Sequence, residues 1–185
     1  MTNLVILDRD GVINKDSVKY IKSPDEFEFI VGSLEAIALL CKHGYRIAVA
    51  TNQSGIALGL YDEYKLSQIH EKMLTAVANA GGKIDLIEYC PHLPNTHCIC
   101  RKPKPGMLYR IAQHFACDLS QVPFIGDRMS DIQTALAARA IPIGIFSSMT
   151  EKHLITTYPN VPMFQSLWEC VHDTTIFKLD KTYHQ

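Results

Sequence analysis

The sequence predicts an α/β fold in which a central parallel sheet carries helices on both faces. Two observations lead there. Short apolar runs alternate along the chain with segments of helical spacing, the pattern of strands and helices wound into a parallel sheet. Charged and polar motifs then follow directly on several of those runs, at the strand ends where open α/β sheets bind ligands.

The strand-like runs are Leu4–Leu7, Arg46–Ala50, Leu86–Tyr89, Pro123–Ile125 and Pro142–Phe146. Leu34, Ile37, Ala38 and Cys41 make one helical apolar face, with Ser33 as its expected N-cap and Gly44 as its stop. A second helix carries Leu66, Ile69, Met73, Leu74 and Val77, starting near Asp62 and stopping at Gly81-Gly82. Met107, Leu108, Ile111, Ala112 and Phe115 mark a third, and Ile132, Ala135 and Leu136 a fourth. Pro91–Gly106 fits neither pattern. From Glu151 onward the chain is less regular, and its last residues are expected to fray. With no repeat or linker in between, residues 1–185 read as one domain with the loop 90–106 inserted.

A chain of 185 residues can bury roughly 70% of its extended surface. Eighteen basic and nineteen acidic side chains leave a net charge of −1, without the basic footprint of a nucleic-acid binder. The apolar stretches fall far short of a membrane span, and the chain opens on its first strand rather than on a signal peptide. The expectation is a soluble cytoplasmic protein with a small-molecule partner, no nucleic acid and no membrane. A small substrate is compatible with a monomer. Cys41, Cys117 and Cys170 stand singly in apolar or helical surroundings and read as small core hydrophobes.

Asp8-Arg9-Asp10-Gly11 follows the first run without a gap. Residues two apart on an extended segment point the same way, so Asp8 and Asp10 face one small volume. Two carboxylates there repel unless a cation or a shared proton intervenes, which suits a metal-assisted site with a nucleophile beside an acid/base group. Three more motifs belong to the same crevice. Thr51-Asn52-Gln53-Ser54-Gly55 offers a hydroxyl, amides and backbone N–H groups to phosphoryl oxygens. Gly126-Asp127-Arg128-Met129-Ser130-Asp131 adds a carboxylate, Asp127, for an oxygen-rich Mg²⁺ site. Asp131 fits equally an acid at a helix N-terminus or a support for the metal ligands. Arg101-Lys102-Pro103-Lys104-Pro105-Gly106 supplies a point charge, Lys102, and a planar fork, Arg101, for anionic groups.

Taken in order, Asp8-x-Asp10, Thr51, Lys102 and Gly126-Asp127-x-x-x-Asp131 resemble the haloacid dehalogenase superfamily of phosphotransferases over Leu4 to Phe146. The resemblance implies a Rossmann-like three-layer sandwich without a cap domain. It makes Asp8 the nucleophile that takes the phosphoryl group and Asp10 the general acid/base. Thr51 and Lys102 then stabilise phosphoryl oxygens, and Asp8, the Asp10 carbonyl and Asp127 hold Mg²⁺.

Cys90-Pro91-His92 and Cys98-Ile99-Cys100 place three thiols and an imidazole within eleven residues, a closed tetrahedral set for structural Zn²⁺. His97 is a competing ligand. Such a zinc braces the loop that carries Arg101 and Lys102. This loop, with Asp8–Asn14, Thr51–Ala57 and Cys100–Met107, looks like that of the D-glycero-D-manno-heptose 1,7-bisphosphate 7-phosphatases. That resemblance implies Mg²⁺-dependent removal of the C7 phosphate in the supply of ADP-heptose for the lipopolysaccharide core. It places Asp16, Tyr20, Asn52, Gln53, Ser54, Arg101 and Arg128 in substrate-contacting segments. The short span between His92 and Cys98, with Asp127-Arg128 and Asp131-Ile132-Gln133, is also similar to the zinc-loop histidinol-phosphate phosphatases of histidine biosynthesis. A non-catalytic zinc-loop binding module is the reading from another class, and it gives no reason for carboxylates at two strand ends.

Overall fold

Every side chain of the first apolar run is buried, because each face of its strand meets a separate layer of helices. The computed structural model describes residues 3–177 and 179. In chain order its elements are β1 (Leu4–Leu7), α1 (Ser33–Lys42), β2 (Arg46–Asn52), α2 (Glu63–Asn79), β3 (Leu86–Cys90), α3 (Gly106–Phe115), β4 (Pro123–Gly126), α4 (Met129–Ala138), β5 (Ile141–Ile145), α5 (Leu154–Thr157), β6 (Met163–Phe164) and α6 (Leu167–His172). The strands form one sheet in the order β3-β2-β1-β4-β5-β6, and every pairing is parallel. Alternation along β1 sends Val5 and Leu7 into a core with α1, α2 and α6, and Leu4 and Ile6 into a second core with α3 and α4. The predicted three-layer α/β architecture is the one observed.

The element ends depart from expectation in ways that matter for the site. Register pairing of Thr51 with Tyr89 and of Asn52 with Cys90 carries β2 two residues past Ala50 and β3 one past Tyr89. Thr51 and Cys90 are therefore fixed by strand geometry rather than by a turn. Ser33 is not the cap of α1. Gly32, at φ +85°, takes that place, and the Ser33 hydroxyl donates to the Ile13 carbonyl at 2.8 Å. That bond ties α1 to the segment following β1. The helix α2 starts near Asp62 as expected, and Asp62 caps it, accepting from the Lys65 amide at 2.7 Å. The irregular C-terminal part holds β6 and α6, too short for their periodicity to register in sequence. There Leu167, Cys170 and Val171 are buried, and Phe177 packs edge-on against Tyr45. The last residues, expected to fray, lie largely outside the described ones.

Cys170 is a core residue, whereas Cys41 and Cys117 are only half-buried. Cys41 uses its thiol at the surface, donating to the Lys83 carbonyl and accepting from the Lys83 amide. Leu136, placed on the apolar face of α4 by spacing alone, is 49% exposed, because Ile132, Ala135 and Ala138 form the buried side of α4. Ile37 and Leu136 accordingly make a discriminating pair. Ile37→Ala should cost about 2–5 kcal/mol in urea unfolding through transfer and cavity terms, and Leu136→Ala no more than about 0.5 kcal/mol.

Candidate active site

The strand order reverses direction at β1, which has β2 on one side and β4 on the other. The carboxyl ends of these three strands open on one crevice. Asp8, Asp10, Asp16, Tyr20, Thr51, Asn52, Gln53, Ser54, Arg101, Lys102, Asp127 and Arg128 all line it. The sequence motifs therefore converge in space.

Lys102 occupies its centre. Its ammonium forms ion pairs with Asp8 Oδ2 at 2.8 Å and Asp131 Oδ1 at 2.7 Å and donates to the Ala50 carbonyl at 3.0 Å. Burial opposes its charge, but the carboxylates of Asp131 and Asp8 outweigh burial and hold its pKa above the usual lysine value. The main chain at 102 is clamped as well. Asn52 Nδ2 donates to the Lys102 carbonyl and Asn52 Oδ1 accepts from the Lys102 amide, at 3.2 and 3.1 Å. Asp131 lies in the first turn of α4. Its Oδ2 accepts from the amides of Asp127 and Arg128 at the start of α4, and its Oδ1 pairs with Lys102.

Asp8 sits where β1 ends, its amide donating to the Ile125 carbonyl of β4 and its Oδ1 accepting from the Arg9 amide at 2.7 Å. Burial, partly relieved by Lys102, pushes its carboxyl up to about 8. Asp10 collects donors from several directions: the Arg9 guanidinium at 2.9 Å, Asn14 Nδ2 at 2.8 Å and Gln53 Nε2 at 2.9 Å. Gln53 Nε2 also donates to Thr51 Oγ1 at 2.8 Å, while Gln53 Oε1 accepts from the Tyr61 hydroxyl at 2.6 Å. At the rim, Arg128 lies 3.4 Å from both Asp16 and Glu151.

Asp127 is fully buried, and burial together with the charges of Asp131 and Asp8 pushes it up to about 9. Its Oδ2 accepts from Ser147, but its Oδ1 is buried without a hydrogen-bond partner. Carboxylate oxygens of Asp8, Asp127 and Asp131 lie within 4.8 Å of one another. A divalent cation fits this set. It offsets the clustered negative charge, which a neutral ligand does not, and gives the orphaned oxygen a partner. Gly11 makes the approach possible. At φ +85° its bare Cα faces the Asp127 carboxylate, in space that a Cβ would need.

The second cluster lies beside the crevice. Ligand atoms of Cys90, His92, Cys98 and Cys100 fall within 4.8 Å of one another, and His97 stays outside the set. Cys90 Sγ lies 3.8 Å from Cys98 Sγ, 3.2 Å from Cys100 Sγ and 3.4 Å from His92 Nδ1. A tetrahedral Zn²⁺ at ordinary bond lengths spaces two sulfurs by ~3.8 Å and a sulfur and nitrogen by ~3.6 Å, so the four donors suit that ion. Arg101 Nη1 donates to the His92 carbonyl at 2.9 Å, coupling this loop to the crevice wall.

Several contributors escape a motif-based reading. Arg9, only 1% exposed, forks around Asp10 and meets His70 Nε2 at 3.3 Å. Its place between two aspartates was the available clue. Ser147 and Thr150 bind Asp127, and Glu151 accepts from the Met129 amide at 2.9 Å. No sequence signal distinguishes these residues from ordinary loop positions.

A parallel sheet with a buried aspartate, a lysine paired to it and an acidic set suited to a divalent cation at its strand ends is the arrangement of the phosphatases of the haloacid dehalogenase class. The family model described as polynucleotide kinase 3 phosphatase matches residues 3–184. A D-glycero-beta-D-manno-heptose-1,7-bisphosphate 7-phosphatase of Pseudomonas aeruginosa is 52% identical over 76% of this chain and 79% of its own. A D-glycero-alpha-D-manno counterpart from Campylobacter jejuni is 44% identical over 74% and 78%. The crystal structure of D,D-heptose 1,7-bisphosphate phosphatase from B. bronchiseptica, complexed with magnesium and phosphate, matches with a TM-score of 0.86 and 41% identity, over 91% of this chain and 95% of that one. The chain belongs to this phosphatase family, within the branch of the heptose bisphosphate phosphatases.

His70 gives the site a signature in stability. Burial, then the Arg9 charge, lowers its pKa to about 3, and donor-only Arg9 requires Nε2 as an acceptor. Below its ordinary value of ~6.5 the unfolded chain binds a proton that the folded chain refuses, so stability present above that pH declines as pH falls. His70→Gln keeps an acceptor for Arg9. Measured by urea unfolding, it should lose less stability between pH 7 and pH 5 than the wild type, by up to ~2 kcal/mol.

Proposed function

We propose that the protein is a Mg²⁺-dependent phosphatase that removes the C7 phosphate of D-glycero-D-manno-heptose 1,7-bisphosphate through an aspartyl-phosphate intermediate. The observation that carries this reading is the buried Asp8–Lys102 pair, 2.8 Å apart, with Asp10 opening on the same crevice. A carboxylate held this way has an adjacent cation to neutralise negative charge that builds on phosphoryl oxygens during transfer.

Asp8 attacks phosphorus as the bond to the C7 oxygen breaks, and Asp10 delivers a proton to that departing oxygen. Asp10 then takes a proton from water as the water oxygen attacks phosphorus, and Asp8 leaves as a free carboxylate with inorganic phosphate. Thr51 and Lys102 donate to the phosphoryl oxygens. Asp8, the Asp10 carbonyl and Asp127 would hold Mg²⁺, which when bound neutralises phosphoryl charge and offsets the repulsion among the acids. Asp16, Tyr20, Asn52, Ser54, Arg101 and Arg128 line the crevice around the rest of the sugar. Arg101 and Arg128 are the cations available to the second phosphate.

The relatives that act on the β anomer by name favour that substrate over histidinol phosphate, and such a product would supply ADP-heptose for the lipopolysaccharide core. A net charge of −1 sets the chain apart from the polynucleotide substrates in the family's description. Zn²⁺ in the Cys90, His92, Cys98 and Cys100 set is structural in this reading. Four protein ligands leave it no open position, and Lys102 follows Cys100 by two residues.

Phosphate release from both heptose bisphosphate anomers and from histidinol phosphate, compared with Mg²⁺ present, tests the substrate. Asp8→Asn should abolish turnover, and Asp10→Asn should lower kcat by about 10²–10⁴-fold; full activity in Asp8→Asn would remove the nucleophile assignment. Chelation of zinc, or Cys98→Ser, should lower Tm and raise KM together, because the loop bearing Arg101 and Lys102 loses its brace. An unchanged Tm with no zinc by elemental analysis counts against the structural metal.

A further inference from the structure

We propose that Tyr61 and Gln53 form a positioning relay that orients the acid/base carboxylate of Asp10 and the hydroxyl of Thr51. The proposal rests on the phosphatase reading above. Gln53 is 3% exposed and both of its side-chain N–H groups are used, donating to Asp10 and to Thr51, while its oxygen accepts from Tyr61. It therefore has no N–H left for a sugar and acts through its two neighbours.

The hydrogen-bond directions follow from chemistry. Asp10 Oδ2 already accepts from the Arg9 guanidinium, a donor only, at 3.0 Å, so the amide turns Nε2 rather than Oε1 toward it. That leaves Oε1 pointing into the protein, where it needs a donor. Tyr61, 8% exposed, provides one at 2.6 Å. Burial pushes the Tyr61 hydroxyl up to about 12, so it keeps its proton through the neutral range. The tyrosine ring fills the space that a side chain at Gly55 would take, which fixes the hydroxyl's direction. At the other end, Thr51 Oγ1 accepts from Gln53, so its own hydrogen must turn elsewhere. Thr51 lines the crevice, and a phosphoryl oxygen seated there is the acceptor available to it. One buried hydroxyl thus sets two groups that meet the substrate.

Tyr61→Phe removes the hydroxyl and keeps the ring. It leaves Gln53 Oε1 buried without a donor and frees the amide to rotate. The sensitive readout is the leaving group. A sugar alkoxide departs with a proton from Asp10, whereas 4-nitrophenolate departs without one. Tyr61→Phe should lower kcat/KM for heptose bisphosphate by about tenfold and for 4-nitrophenyl phosphate by about threefold or less, with the sugar KM within about twofold of wild type. In the double variant with Gln53→Leu, the losses should not add, because both changes cut the same relay. Equal losses on the two esters, fully additive losses, or wild-type rates in Tyr61→Phe would each overturn the relay. Wild-type enzyme that cleaves simple alkyl phosphates but not the heptose bisphosphate would sink the substrate assignment alone, since the leaving-group ratio is then read on the alkyl ester it accepts.

Discussion

The site is organised around one buried cation held between two carboxylates. Lys102 is 4% exposed, and its ammonium joins Asp8 at the end of β1, Asp131 in the first turn of α4 and the backbone of β2. Removing one member of such a set leaves an uncompensated buried charge, a loss of about 3–5 kcal/mol. The surrounding structure reads as the means of keeping that ammonium in place. Asn52 clamps the main chain of residue 102 on one side, and the Cys/His loop ends two residues before it on the other. Lys104 adds a bond to the Cys98 carbonyl at 2.6 Å.

The charge distribution follows from the same constraint. Asp8 and Asp127 are both raised well above the usual carboxylate range, chiefly by burial, although Asp8 has a lysine beside it and Asp127 does not. One ammonium cannot balance three buried acids. The imbalance is local to the face where Asp127 Oδ1 lacks a partner, and it is the electrostatic counterpart of a divalent ion.

Much of this was legible in the sequence because the chemistry sits at strand ends. Strands buried on both faces declare themselves as apolar runs, so Asp8, Thr51 and Asp127 could be placed at the mouth of one sheet from their positions alone. The Cys/His loop was legible for a different reason, since metal donors cluster in sequence when one loop supplies them all. What stayed hidden came from residues whose partners are remote. Tyr61, His70, Ser147 and Glu151 touch the site through the fold, and their neighbours in sequence are unremarkable. Leu136 misled for the opposite reason. Helical spacing assigned it to a buried face, while the small residues Ala135 and Ala138 make the actual contact with the sheet.

Gly11 has one hydrogen where any other amino acid has a carbon, and that vacancy is occupied by the acidic head of Asp127. The separation between the first and fourth strands' acids is thus measured by something missing. Enlarging residue 11 by a single methyl would wedge them apart before any substrate arrived, so tolerance to change here is set by an atom's width rather than by polarity.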